Sequence, residues 1–329
     1  MQRRGALRLG GFATAFALAR TTLAQQSAGT TDWPNRPLRI VIPFAPGGGA
    51  DRVGRMLAEP LGRELGQPIV VENRPGGGGT LAAAHVAAAP ADGYTLFYGT
   101  PGQLTTLPIL MPNLPYDPVR DFAPVSLLIR GAYGIGVHPS VPAHNLAELI
   151  TLAKRQPGRL AYATAGVGSG PHLAGELLKF MAGIDITHVP YRGSAPAIQD
   201  VVGGQVPISI DSQDLIGPQI HNGTIRGLAV TSTGRSVLLP DLPPVAETVP
   251  GYEVTVFNYV AVRAGTPRPI VERLSREIRA VVARPEFVEA NRQLGTEAIG
   301  STPEELGRLW QAEAGKWREV IARASIRME

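Results

Sequence analysis

The 329-residue chain contains no cysteine. It therefore has no disulfide, no thiolate metal site, no Cys nucleophile and no cysteine to carry a lipid anchor, and its stability rests on packing alone. Long apolar runs are missing too: no stretch reaches the roughly 20 apolar residues of a membrane-spanning helix. Catalytic signatures are also absent. There is no Gly-x-Ser-x-Gly nucleophile elbow and no His-Glu-x-x-His, and the six histidines are scattered without metal-ligand spacing. His138 and His144 read as surface residues of a loop. No Gly-Lys-Ser/Thr follows the glycine runs, which rules out a Walker loop. Arg52 and Pro171 stand where a Gly-x-Gly-x-x-Gly pattern would need glycine. No metal and no cofactor are expected, and a nucleotide-dependent enzyme is the alternative these exclusions leave least room for.

Hydrophobic residues make up 44% of the chain and charged residues 18%, a globular composition long enough for two domains. The formal net charge of +4 is no nucleic-acid footprint. Four of the 31 basic residues (Arg3, Arg4, Arg8 and Arg20) fall in the first 24 positions, which hold no acid, so the remainder carries 27 bases against 27 acids. That first segment, 1–24, reads as an export signal. Arg3 and Arg4 form its positive start, Leu9 to Ala19 a short apolar core, and Thr22-Leu23-Ala24 a small-residue cleavage site. The Sec and twin-arginine routes both fit these residues. The mature protein is expected to be periplasmic, soluble and monomeric.

What the chain has in quantity is glycine and proline, and they cluster. The apolar run Leu38–Ile42 predicts a buried strand, and Val53, Met56, Leu57, Leu61 and Leu65 mark one face of a helix. Between them lie Pro43, Pro46, Gly47, Gly48 and Gly49, a stretch whose backbone N–H groups no Cβ screens. Such donors at a helix N-terminus favour an anion. A plain β–α turn would use the same residues. The device recurs, however: the predicted strand Leu160–Thr164 leads through Ala165-Gly166-Val167-Gly168-Ser169-Gly170-Pro171-His172 into a predicted helix from Leu173 to Met181. Ser169 suits its N-cap and Pro171 its first turn. A third glycine turn, Asn73 to Gly79, follows the second predicted strand.

Strands and helices alternate through the first 98 residues, which predicts a parallel α/β sheet. Leu104 to Phe122 reads as irregular and too long for a mere connection. Val125–Ile129 and Gly134–Val137 are apolar runs suited to carry the chain from one sheet into another. Later predicted elements include the strand Val206–Ile210, ending in Asp211-Ser212, a return strand Glu253–Val262, and closing helices over Pro269–Ala283 and Pro303–Ala324.

These residues resemble the periplasmic solute-binding proteins of tripartite tricarboxylate transporters, often called the Bug family. The matching stretches include Val41 to Gly49 with Asp51, Val71-Glu72-Asn73-Arg74-Pro75-Gly76, Asp92-Gly93-Tyr94-Thr95-Leu96, Tyr116-Asp117-Pro118, Ala165-Gly166 with Gly168-Ser169, His172-Leu173-Ala174-Gly175-Glu176 and His188-Val189-Pro190-Tyr191-Arg192-Gly193. The resemblance implies a two-lobed type II periplasmic-binding fold of α/β class, with the ligand in the cleft between lobes. The lobes are expected at 33–130 plus 251–329 and at 131–250. It also implies two partners, a small organic carboxylate ligand and integral membrane transporter subunits. A ligand-sensing module for a membrane kinase would use the same fold.

Carried over residue by residue, the first cradle is Phe44, Ala45, Pro46, Gly47, Gly48 and Asp51. The second is Thr164, Ala165, Gly168, Ser169 and His172, with Asp211 at a later strand end. Asp51 and His172 serve equally well as ligand contacts or as residues that tie down the loops. Three departures stand out: Phe257-Asn258-Tyr259 where relatives carry Trp and Gly, Arg263 before Ala264, and Gly170 where they have Ser or Thr. A return strand bordering the cleft would make the pocket shape particular to this chain.

Overall fold

In the computed structural model, which describes residues 32–324 apart from Pro112 and Arg192, each glycine turn joins the C-terminal end of a parallel strand to a helix. The export segment at 1–24 lies outside the described residues. β1 (Leu38–Ile42) leads through the first glycine turn into α1 (Gly49–Leu65), where Val53, Leu57, Leu61 and Leu65 are buried as their spacing requires. Burying each such side chain contributes about 1.5–3 kcal/mol. Gly66, at φ 74°, ends the helix in the left-handed conformation that glycine adopts without strain. β2 (Ile69–Asn73), α2 (Thr80–Ala87) and β3 (Thr95–Gly99) follow, and β1 pairs in parallel with both β2 and β3.

The sheet is mixed, not purely parallel. The two apolar runs of the middle segment are one 16-residue strand, β4 (Phe122–Val137). Its residues 122–132 pair antiparallel with β9 (Thr255–Arg263), which also pairs antiparallel with β3. Its residues 133–137 pair with β7 (Ile208–Ser212) and β8 (Arg226–Val230). β7 in turn pairs in parallel with β5 (Ala161–Thr164), and β5 with β6 (Thr187–Pro190). One strand thus belongs to both halves. The return crossing is held by Val254 N–H donating to Thr231 O at 3.0 Å.

Helices cover both faces of each half. α1 and α8 (Arg268–Val282) cover one face of the first sheet, while α2 and Leu306 of α10 (Pro303–Ala324) cover the other. In the second half, α4 (Leu146–Arg155) and α5 (Gly170–Ala182) cover one face, and α6 (Ser194–Val202) and α7 (Gln213–His221) the other. α10 straddles the halves, since its Trp317 and Ile321 pack into the second-half core with Leu177 and Tyr252.

Several sequence expectations need correction. The stretch read as irregular from Leu104 begins inside a helix: a wide π-type turn over Gly102–Thr106 runs into α3 (Leu107–Leu110). It is buried, which is why its apolar and polar residues show no periodicity. α5 begins at Gly170, three residues before its predicted start, because Ser169 caps it. α7, α9 (Pro285–Gln293) and β10 (Thr296–Ala298) went unpredicted.

Candidate ligand-binding cleft

The turns after β1, β2 and β3 meet those after β5 and β7, strand ends of the kind at which open α/β sheets bind ligands. The halves touch across this gap. Arg52 of α1 makes an ion pair with Asp214 in the first turn of α7. A Cβ at Gly78 would lie 3.7 Å from Val167 O, and one at Gly102 3.1 Å from Gly168 O. Of the helices that start here, only α5 has a side-chain N-cap bond, while α1, α2, α6 and α7 have none.

In the first loop, Gly47 N–H donates to Asp51 Oδ2 at 2.9 Å. The Asp51 carboxylate is buried and also accepts from Arg55 Nε (3.0 and 3.1 Å) and from Asn73 Nδ2 (2.9 Å). The Asn73 amide reaches on to Phe44 O at 2.9 Å. These bonds hold the Asp51 carboxyl below its ordinary range against the opposing effect of burial. Asp51 therefore braces the loop from beneath. Ala45, Pro46 and Gly47 are exposed, and Phe44 and Gly48 are half-buried. Among the described residues, the N–H groups of Gly48, Gly49 and Ala50 have no partner.

The second loop repeats the arrangement. Gly168 N–H donates to His172 Nδ1 at 3.2 Å, so the brace again lies four residues on and at the third position of the helix. His172 is buried and stacks on His188 with ring centroids 4.2 Å apart. Burial lowers the pKa of both imidazoles, that of His188 to about 4, so both are neutral at pH 7. Thr164 Oγ1 bonds His188 Nε2 at 2.7 Å and accepts from Gly166 N–H at 3.2 Å. Ser169 Oγ donates to Gly166 O at 2.7 Å and accepts from His172 N–H at 3.4 Å. The polar side chains of Asp51, Thr164, Ser169 and His172 thus hold backbone. Among the described residues, the N–H groups of Ala165, Val167 and Gly170 remain unpaired.

Asp211 differs from these. Its Oδ1 accepts from Ser194 Oγ (2.8 Å) and Ser212 N–H (2.7 Å), while its buried Oδ2 has no partner. Burial outweighs those bonds and pushes the carboxyl up to about 6. Near neutral pH it is an ionised acceptor, and below its pKa a donor.

The departures now have physical reasons. Phe257 and Tyr259 are buried in the first-half core, and Asn258 donates to Tyr98 OH at 2.6 Å. Arg263 pairs with Asp121 at 3.2 Å at the far end of its strand. A Cβ at Gly170 would lie 1.7 Å from Tyr133 OH, so the tyrosine takes the space of the missing side chain. Sequence reasoning did not assign Gly76–Thr80, Gln103, Leu107 or Asp214 to the site. The glycine run at 76–79 was a visible signal. Asp214 gave none, since only the tertiary fold brings it to Arg52.

Strand-end loops from two sheets that share a strand, with free backbone donors between them, define a bilobal solute-binding protein. Residues 53–326 match the tripartite tricarboxylate transporter family receptor, TctC, and the chain belongs to that family. It is similar to BugT of Bordetella pertussis, with 34% identity over 90% of this chain and 92% of that one. Among solved structures, it resembles R. palustris Rpa4515 with adipate (39% identity, TM-score 0.84, covering 90% of this chain and 99% of that one). It also resembles MatC from Rhodopseudomonas palustris with bound malate (32% identity, TM-score 0.81, covering 88% and 100%).

Proposed function

We propose that this chain is an exported, periplasmic solute-binding protein. In this reading it captures a small carboxylate between its lobes and delivers it to the membrane subunits of a tripartite tricarboxylate transporter, acting by binding and not by catalysis. The observation that carries the reading is the pair of loops whose inward glycine N–H groups are braced by Asp51 and His172 while neighbouring N–H groups at the starts of α1 and α5 have no partner among the described residues. Unpaired donors at a helix N-terminus, where the dipole is positive, suit an anion. Arg52 and Arg55 are already paired with acids, so the ligand is held by neutral donors and bridging waters. The adipate and malate of the two similar structures agree with this ligand class.

In this assignment, Phe44 to Gly48 and Thr164 to Ser169 form the two cradles, Asp51 and His172 position them, and Asp211 selects among ligands. The lobes are 33–130 plus 251–329 and 131–250. They hinge where β4 changes partners and where the chain returns to β9, with α10 bridging both. A thermal-shift screen of dicarboxylates, aromatic acids and amino acids tests the reading, because a ligand bound only to the folded state raises the melting temperature by mass action. Carboxylates are expected to shift it, and a screen in which none does refutes the proposal.

A further inference from the structure

The second cradle ends at Gly170, the first residue of α5, whose N–H has no partner among the described residues. Beside it lies the phenol of Tyr133. A Cβ at Gly170 would lie 1.7 Å from Tyr133 OH and 2.5 Å from its Cζ, so the hydroxyl rests against the bare first turn of the helix. Tyr133 stands where β4 changes partners: Ala132 is the last residue paired with β9, and Tyr133 the first paired with β7. Its backbone is fixed on both sides. The N–H donates to Thr231 Oγ1 at 2.9 Å, and the carbonyl accepts from Thr231 N–H at 3.0 Å. The ring is buried in the second-half core. The hydroxyl is held by nothing: among the described residues it makes no hydrogen bond. Nor is it one of the fully enclosed unpartnered polar atoms, which belong to Trp33, Ser209, Asp211, Tyr259, Ser275 and Trp310. It therefore keeps contact with solvent at the start of α5. Burial of the ring and the nearby Asp211 carboxyl keep the phenol protonated, so it is a neutral donor at physiological pH.

We propose that Tyr133 is a further ligand-binding residue: its hydroxyl donates to the ligand carboxylate held at the start of α5, beside the Gly170 N–H. This inference rests on the carboxylate-binding reading. A hydroxyl on a buried ring costs free energy when it lacks a protein partner, and phenylalanine would fill the same core space without that cost. A hydrogen bond made when ligand arrives accounts for the oxygen. It also adds a donor to the cradle without adding a cation.

The test compares wild type with Tyr133→Phe by calorimetric titration, using the tightest-binding acid of a carboxylate panel that includes succinate, malate and adipate, alongside melting curves of the ligand-free proteins. The variant is expected to melt where wild type does, because no protein group loses a partner. It should bind the acid roughly 10- to 100-fold more weakly, the loss that a hydrogen bond to a charged group warrants. Equal affinity in the two proteins overturns the inference. So does weaker binding accompanied by a lower ligand-free melting temperature, because the hydroxyl would then be holding the fold and not the ligand. If wild type binds no acid of the panel, the functional reading itself fails and the inference goes with it.

Discussion

Replacing Asp211 by Asn should change the pH dependence of stability in a direction that can be worked out beforehand. The carboxyl is buried with Oδ2 unpartnered, and its pKa rises from the ordinary 3.8 to about 6. A carboxyl with a raised folded pKa destabilises the fold when ionised. The penalty is fully present above pH 6, fades as pH falls through 6, and is gone below 3.8. At pH 7 it amounts to ~3 kcal/mol, from about 1.4 kcal/mol per pK unit. Asn keeps Oδ1 as acceptor for Ser194 and Ser212 but places an NH2 where no acceptor is found, at a cost of roughly 1–3 kcal/mol. The absolute change at pH 7 is therefore small, and the pH profile is the sharper readout. Between pH 7 and 5, wild type should gain ~1.3 kcal/mol relative to the variant, by linkage from those pKa values. His172 and His188 act oppositely, because imidazoles buried neutral lose stability as pH falls below 6.5, but both proteins carry them and they cancel in the difference. Urea denaturation at several pH values measures that difference. Parallel profiles would refute the reasoning and leave Asp211 an ordinary surface-like acid.

The loops give further expectations. Gly48 has φ −77° and no neighbour closer to its Cβ position than Ala45 O at 3.9 Å, so Gly48→Val should fold normally and weaken carboxylate binding at least about tenfold by crowding the donors. Gly168, at φ 75° and against Leu107, should lose roughly 1–3 kcal/mol of stability as Ala, so it is the poorer probe of binding and melting curves should show it. Asp51→Ala leaves Gly47 N–H and Asn73 without their acceptor while the half-exposed Arg55 returns to solvent, and should cost roughly 1–3 kcal/mol by chemical denaturation. Affinity measured from low to high salt should change little, because the cradle donors are neutral. A steep loss would reveal a cation in contact with the ligand.

The sequence showed most clearly what depends on local chemistry. Leu38–Ile42 forms its strand at the expected limits, because its apolar run decides it, and in α4 the cap is local too. Asn145 accepts from Glu148 N–H at 2.9 Å, a cap visible in the residues themselves. Both glycine loops were legible for the same reason: glycine and proline constrain the backbone wherever they stand. What escaped depends on distant partners. That two apolar runs form one strand follows from β9 pairing with one end and β7 and β8 with the other, 70 or more residues away along the chain. The helical stretch over Gly102–Leu110 escaped because burial on all sides removes the polar face that periodicity needs. The roles of Asp51 and His172 were left open because a polar side chain at the third helix position can face the ligand or the loop, and only the coordinates show which.

On the proposed reading, the two braces also account for a site that holds an anion through neutral donors. A glycine-rich turn supplies accessible donors but is entropically costly to hold in one shape. Here each turn is fixed by one buried acceptor four residues on, an ionised Asp51 in the first loop and a neutral His172 in the second. The charge on Asp51 is matched by Arg55 at 3.0 Å, so neither brace leaves net charge beside the cradle. Arg52 is matched in the same way by Asp214. What remains among the described residues is the positive end of two helices and the buried Oδ2 of Asp211, which has no hydrogen-bond partner. On the carboxylate-binding reading proposed above, helix dipoles would favour a first ligand carboxylate, and Asp211 would discriminate among whatever else the ligand carries. On that reading, above pH 6 a hydroxyl or ammonium group beside it would gain a hydrogen bond, and a second carboxylate there would meet repulsion. Below pH 6 that preference relaxes.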